Sequence, residues 1–385
     1  MSRSAILLAR LLVAGALFTP LLQGQSRFDL REVAWTIAPD PGGDAIAMKM
    51  QLAPLQARER MVLRIPLWRP GSYRYDAFQD RISGLRAIDQ DGQDRAILAL
   101  DPRTWEIETS GVTALTVSYQ LAVENDAEDG AAPAVHLNGP MTFLYLEDAR
   151  ELPHSLRVDL PRDWDIASGH RVDPAEPKVR RAPNYDVFVD CPIALGALER
   201  HGFVAHGRPF EIVLLGKLPT EAQFPRADWI ETVRTISEAA YDVVGDFPFD
   251  RYVYLFLFND IGGGYGLEHL NSTTIAWNHR MIKAGQTVGL ESVTAHEFFH
   301  LWNVKRIRPS QLGPFDYSTD VRTKDLWWLE GVTSYYNDVI LQRAGLRAEE
   351  NWFWESQAQN FRNVLAQPGY GLVSPERSSW TVWEP

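Results

Sequence analysis

Cysteine is nearly missing from this chain: Cys191 stands alone in 385 residues. A single thiol excludes an intramolecular disulfide and any thiolate metal cluster, so a bound metal must be held by histidine and carboxylate. Positive charge is also in short supply. Lys and Arg number 38 against 50 Asp and Glu, a formal net charge of -12. Such a chain repels phosphate backbones, which argues against nucleic acid as a partner. Internal repeats and low-complexity tracts are absent, and beyond the amino terminus no apolar run approaches a membrane span. What remains, 45% hydrophobic and 23% charged residues, is ordinary globular composition, enough for two or three domains with real cores.

The first 25 residues are poor in charge of either sign. Arg3 and Arg10 are their only charges, and an apolar run from Leu11 to Leu22 leads to Gly24, Gln25 and Ser26. A run of this length falls short of the roughly 20 residues that span a bilayer, and the pattern predicts a cleaved secretory leader over 1–25. The expected mature protein is periplasmic or secreted, has no transmembrane segment, and carries a formal charge of -14 once those two arginines are gone.

From Arg27 to about Gly216 short runs alternate apolar and polar residues, as in 61–66, 114–123 and 210–215, with turn signals at Pro41-Gly42-Gly43 and Pro70-Gly71. This predicts a β-rich, sandwich-like amino-terminal domain over 26–218. Helical spacing takes over at Trp229, Val233, Ile236, Ala240 and Val243 and stops at Gly245. A strong strand over 251–258, a glycine cluster at 262–264, and helices over about 288–304 and 325–344 follow. The expected fold class is α+β, with a mainly helical second domain over 219–385.

The chemistry concentrates in His296-Glu297-Phe298-Phe299-His300. Four residues apart on a helix, the two imidazoles share one face and reach one ion, with Glu297 beside them. Zinc suits nitrogen and oxygen donors in a tetrahedron and lowers the pKa of a water in the open position; a nearby carboxylate then serves as general base. That combination is the chemistry of peptide hydrolysis. For the third ligand, Glu330 sits in an otherwise apolar stretch of the next helix, where a buried carboxylate needs a cation. A metal is one such cation, and Arg306 or Arg308 is another. Asp325 and Asp338 are further possible ligands, although they suit a helix start and an exposed face.

Taken together, HEFFHLWNVKRIRP (296–309) and LWWLEGVTSYY (326–336) resemble the glycyl aminopeptidase family of PDZ-containing zinc metallopeptidases, itself of thermolysin type. WRPGSY (68–73), YDVFVDCP (185–192) and GLEHLNST (266–273) fit the same family. The resemblance implies that His296, His300 and Glu330 hold Zn2+, that Glu297 is the catalytic base, and that the second domain is thermolysin-like. Tyr265 to His269 is also similar to the G-A-M-E-N sequence of aminopeptidase N-like enzymes, with Tyr265 and His269 departing from it. By that likeness the backbone at Gly266 and Leu267 pairs with substrate, and Glu268 binds its free α-amine. The implied substrates are peptides with a free amino terminus and a small first residue, glycine or alanine.

A tyrosine that stabilises the oxyanion in such enzymes lies well past the third ligand, and a PDZ domain lies further on. This sequence stops 55 residues after Glu330, so a chain truncated before the PDZ domain, with an incomplete catalytic domain, is expected. Tyr317, Tyr335, Tyr336 and Tyr370 are the available hydroxyls. Two other readings stay open: an endopeptidase with the same metal chemistry, and a truncated or vestigial non-catalytic protein that binds zinc and peptide.

Overall fold

Period-two burial builds the amino-terminal half. Val33–Pro39 buries every second side chain, including Trp35 and Ile37, and Ala45–Leu52 buries Ile46, Met48, Met50 and Leu52. The computed structural model describes residues 30–55, 59–127, 133–260, 264–282, 287–347 and 349–384. The expected leader lies outside the described residues.

These strands sit in a seven-stranded sheet whose order is Arg171–Val172, Val179–Ala182, His154–Val158, Val33–Pro39, Ala45–Leu52, Leu115–Ala122, Ile82–Asp89. Only the pairing of Val33–Pro39 with His154–Val158 is parallel. A four-stranded sheet, Ile97–Asp101, Thr104–Glu108, Arg60–Arg64 and Tyr145–Leu146, contributes Leu63 and Ile107 to the same core as Trp35, Met48 and Val117. The amino-terminal part is therefore β-rich, with one apolar core shared by two sheets.

A second, five-stranded sheet carries the rest, in the order Glu199–Ala205, Arg208–Gly216, Tyr252–Asn259, Ser272–Asn278, Gly264–Glu268. Its first hairpin lies ahead of the expected boundary at 218, because Phe210 to Gly216 pairs in parallel with Tyr252 to Phe258. The central strand Tyr252–Asn259 is buried on both faces. Tyr252, Tyr254, Phe256 and Phe258 point to a core shared with helices, while Val253, Leu255 and Leu257 point to a small-residue layer with Ala134, Ala167 and Ala194. Those alanines belong to a three-stranded sheet, Asp165–Ser168, Ile193–Gly196 and Ala134–Leu137, that backs the larger one.

The helix Arg226–Val244 buries Trp229, Val233, Ile236 and Ala240 against the aromatic face and ends at Gly245, whose φ of 95° is the left-handed conformation glycine adopts freely. Two further helices cross the same face. The histidine helix, Val288–Phe299, stops five residues before its expected end at 304 and gives way to turns over 300–306. The Glu330 helix is Leu326–Arg343. Two short helices, Trp352–Leu365 and Pro375–Trp380, complete the described chain, the former burying only Phe353. Among the described residues no helix is long and apolar enough to cross a membrane.

Candidate metal centre

The early end of the histidine helix shapes the centre. His300 is its C-cap, and the turn that follows brings the backbone oxygen of Asn303 to 2.8 Å from His300 Nδ1. That Nδ1–H donates to a carbonyl, which fixes the tautomer and leaves the Nε2 lone pair free. His300 Nε2 lies 3.1 Å from His296 Nε2. Glu330 Oε2 closes the triangle at 3.4 Å from His296 Nε2 and 3.5 Å from His300 Nε2.

Donor–metal bonds of about 2.0–2.1 Å in a tetrahedron place neighbouring donors about 3.3–3.5 Å apart. The two edges to Glu330, 3.4 and 3.5 Å, fall in that range and the edge between the imidazoles, 3.1 Å, is slightly shorter; two imidazoles and one carboxylate are a donor set zinc accepts. The residues therefore fit the ion. Electrostatics agree: burial works against ionising Glu330, yet contacts with His296 and His300 outweigh it and hold the carboxyl well below the usual range. Three electron pairs converging on one point with Glu297 nearby call for a cation.

Asn303 braces this arrangement from behind. Its Nδ2 donates to Leu329 O at 2.9 Å and to Thr333 Oγ1 at 3.1 Å, and Thr333 Oγ1 donates to Leu329 O at 2.7 Å. The turn after the histidine helix is thereby tied to the residue just before Glu330.

Glu297 is 6% exposed, and its Oε2 has no hydrogen-bond partner among the described residues. Burial pushes its carboxyl up to about 8; His300 opposes the shift, while Glu268 and Glu330 add to it. Gly266, on the edge strand Gly264–Glu268, faces this carboxylate so closely that a Cβ there would overlap Glu297 Cγ, Cδ and Oε1. Glu268 ends the same strand. Glu268, Glu297 and His300 each bring a donor atom within 4.8 Å of the others. Leu267, between Gly266 and Glu268, is buried and packs toward Gly71.

Several placements differ from expectation. Glu330 is 54% exposed rather than buried in apolar surroundings, because Trp327 and Trp328 of the same helix also lie on its open side. The carboxylate is drawn by the imidazoles, not forced inward by its neighbours. Asp325 occupies the position before the first turn, as expected, but Asp338 is buried and accepts from Asn337, Ser356 and Gln357. Arg306 donates to the carbonyls of Leu301 and Pro248, and Arg308 lies over the Phe315 ring, so neither arginine partners Glu330. Tyr317 sits in the β-rich core and Tyr336 stacks on Phe299, while Tyr370 is exposed.

The segment 68–73 is more than a turn between strands. Gly71, with φ +84°, lies so near the edge strand that a Cβ would come 2.9 Å from Glu268 Oε2 and would overlap Leu267. Tyr73, two residues on, is raised above the usual phenol range by burial and by the nearby Glu268 and Glu330. The Pro70-Gly71 pair signals only a turn in sequence, and nothing local reveals that the turn abuts a carboxylate two hundred residues away.

The fold that carries this donor set is shared with a solved zinc metallopeptidase. Two sequence profiles match, the M61 glycyl aminopeptidase over residues 290–385 and the peptidase M61 N-terminal domain over 36–197, together more than half of the chain. The chain belongs to the M61 glycyl aminopeptidase family. Among solved structures it is similar to an aminopeptidase N family protein from Idiomarina loihiensis, with a TM-score of 0.81 and 26% identity over 91% of this chain. The chain spans 61% of that protein's length. An M1 zinc metallopeptidase from Deinococcus radiodurans shares the fold at a TM-score of 0.51 and 16% identity, over 91% of this chain and 77% of its own. No curated protein matches the chain.

Proposed function

We propose that this protein is a zinc aminopeptidase that removes a small first residue, glycine or alanine, from peptides with a free amino terminus. The observation that carries the reading is the triangle of His296 Nε2, His300 Nε2 and Glu330 Oε2 with Glu268 at the end of an adjoining edge strand. The family description supports the preference for glycine. The five-stranded sheet and the helices packed on it form a thermolysin-like catalytic domain in this reading, and the leader-like 1–25 directs export. Sequencing the amino terminus of protein recovered outside the cytoplasm tests the latter.

His296, His300 and Glu330 would hold zinc, which supplies Lewis acidity and lowers the pKa of a nearby water. Glu297 takes the proton of the attacking water and delivers it to the leaving nitrogen. Gly266 lies directly against this carboxylate and limits where it can turn. Among the described residues the edge strand pairs on one side only, with Ser272–Asn278, so its other side offers the Gly266 and Leu267 backbone to an extended peptide. Glu268 meets the α-ammonium, and this charge-assisted contact sets the distance from the amino terminus to the bond that breaks.

The test is zinc content alongside hydrolysis of glycyl- and alanyl-arylamides before and after chelation. Near-stoichiometric zinc with chelator-sensitive release is expected, and N-acetylation of the substrate should abolish it. Cleavage that survives acetylation indicates an endopeptidase, and stoichiometric zinc without turnover refutes the catalytic reading.

A further inference from the structure

Asp190 joins three segments far apart in sequence. Its Oδ1 accepts from Lys305 Nζ at 2.8 Å and lies 3.1 Å from His269 Nδ1. Its Oδ2 accepts the backbone N–H of Leu270 at 3.0 Å. Asp190 caps the short helix Tyr185–Val189 of the β-rich part. His269 and Leu270 follow Glu268 directly, and Lys305 lies in the turn after the histidine helix, its own N–H bonded to His300 O at 3.0 Å. The Lys305 and His269 side chains are each 5% exposed, so these contacts are shielded from water.

Glu268 needs such a fixture. It ends an edge strand, with a neighbouring strand on one side only among the described residues. A slip of one residue along a strand moves a side chain about 3.3 Å and turns it to the opposite face. Asp190 opposes this slip, because it grips the two residues after Glu268 with the same carboxylate that grips the turn after His300. His269 Nε2 has no partner, so Asp190 is the ring's hydrogen-bond partner among the described residues. The ring's orientation is thus a function of Asp190.

We propose that Asp190 is a positioning residue: acting through His269 and Leu270, it holds Glu268 in register with the His296, His300 and Glu330 centre, and so governs recognition of the substrate's free amine without touching substrate. The inference rests on the aminopeptidase reading above.

The experiment compares the zinc-loaded full chain with D190N, H269Q, E268Q and the D190N/E268Q double variant. Calorimetry gives the affinity for glycinamide and for N-acetylglycinamide, which lacks the amine, and zinc content is measured on the same samples. D190N should keep its zinc, weaken glycinamide about tenfold or more, and change N-acetylglycinamide less than about twofold. In the E268Q background D190N should add less than about twofold, because two residues acting through one contact are not additive. Equal losses for both ligands, unchanged glycinamide affinity, or multiplying effects in the double variant would overturn the proposal.

D190N leaves Lys305 buried without its counter-charge, a change that can prevent folding. H269Q, which preserves the Asp190–Lys305 pair, then decides the matter: the same selective loss supports the proposal, and an unchanged affinity ratio refutes it. A wild-type protein with no preference for glycinamide over its acetylated form overturns the aminopeptidase reading and this inference together. Wild-type preference that persists in a folded D190N overturns the inference alone.

Discussion

Gly266 lies against Glu297 with no room for a side chain between them: a Cβ at position 266 would overlap Glu297 Cγ, Cδ and Oε1. The strand proposed to receive the peptide and the proposed base are thus in direct contact. G266A would push the Glu297 carboxylate from its place while leaving the three metal donors untouched. Overpacking of this kind costs about 1–3 kcal/mol in stability. A misplacement near 1 Å lowers catalysis about a hundredfold. Zinc content near that of wild type with kcat/KM reduced to that extent is expected, and a fully active G266A would show that the contact does not constrain the base.

E297Q replaces the same carboxylate with a neutral isostere. General-base catalysis is worth about 10²–10⁴ in rate. Hydrolysis of glycyl-arylamide should fall by that range with zinc bound as in wild type, since Glu297 lies outside the His296, His300 and Glu330 triangle. An E297Q protein that turns over normally would remove Glu297 from the mechanism.

The parts of this molecule that announce themselves in sequence are those whose signal is local. Period-two alternation marks the β-rich half, three- and four-residue spacing marks the helix Arg226–Val244, and the four-residue interval of His296 and His300 places both rings on one face. What escapes is set by tertiary contact. The exposure of Glu330 depends on which side of its helix is covered, and an apolar local sequence gives the wrong answer because Trp327 and Trp328 share the open side. The role of Gly71 depends on Glu268 lying opposite, and that of Asp190 on three segments converging. Asp338 reads as an exposed helical acid until the helix Trp352–Leu365 brings Ser356 and Gln357 to it.

Asn303 gives a test of the support behind the metal donors. Its backbone oxygen orients His300, and its side chain ties that turn to Leu329 O and Thr333 Oγ1. N303A keeps the first contact and removes the second. Loss of an outer partner of this type lowers metal affinity about 10–100-fold. Competition against a chromogenic chelator should show the zinc Kd raised by at least the lower figure, and an unchanged Kd would make the Asn303 side chain dispensable to the centre.

Between pH 7 and 4, part of the acid sensitivity should come from three histidines outside the His296, His300 and Glu330 triangle. Burial pushes His154 down to about 4, against the pull of its hydrogen bond to Leu152 O; its ring packs on Tyr185 and Phe188. Burial likewise pushes His170 down to about 3; its bond to Phe188 O opposes the shift, and Arg180, Arg251 and His154 reinforce it. Desolvation likewise pushes the half-buried His136, whose Nε2 lies 3.0 Å from Thr274 Oγ1, down to about 3, and the nearby His269 and Arg69 reinforce the shift. Unfolded histidine titrates near 6.5, so below that pH the unfolded chain binds protons that the folded chain refuses. The stability these groups contribute is fully present above about pH 6.5 and is lost progressively as pH falls toward 4 and then 3. Each unit of depression corresponds to about 1.4 kcal/mol. Urea midpoints should therefore fall steadily from pH 7 to pH 4. H154Q should make that fall shallower by about one proton's worth of slope between pH 6 and 4, and an identical slope in the variant would mean that His154 is not held neutral in the folded protein.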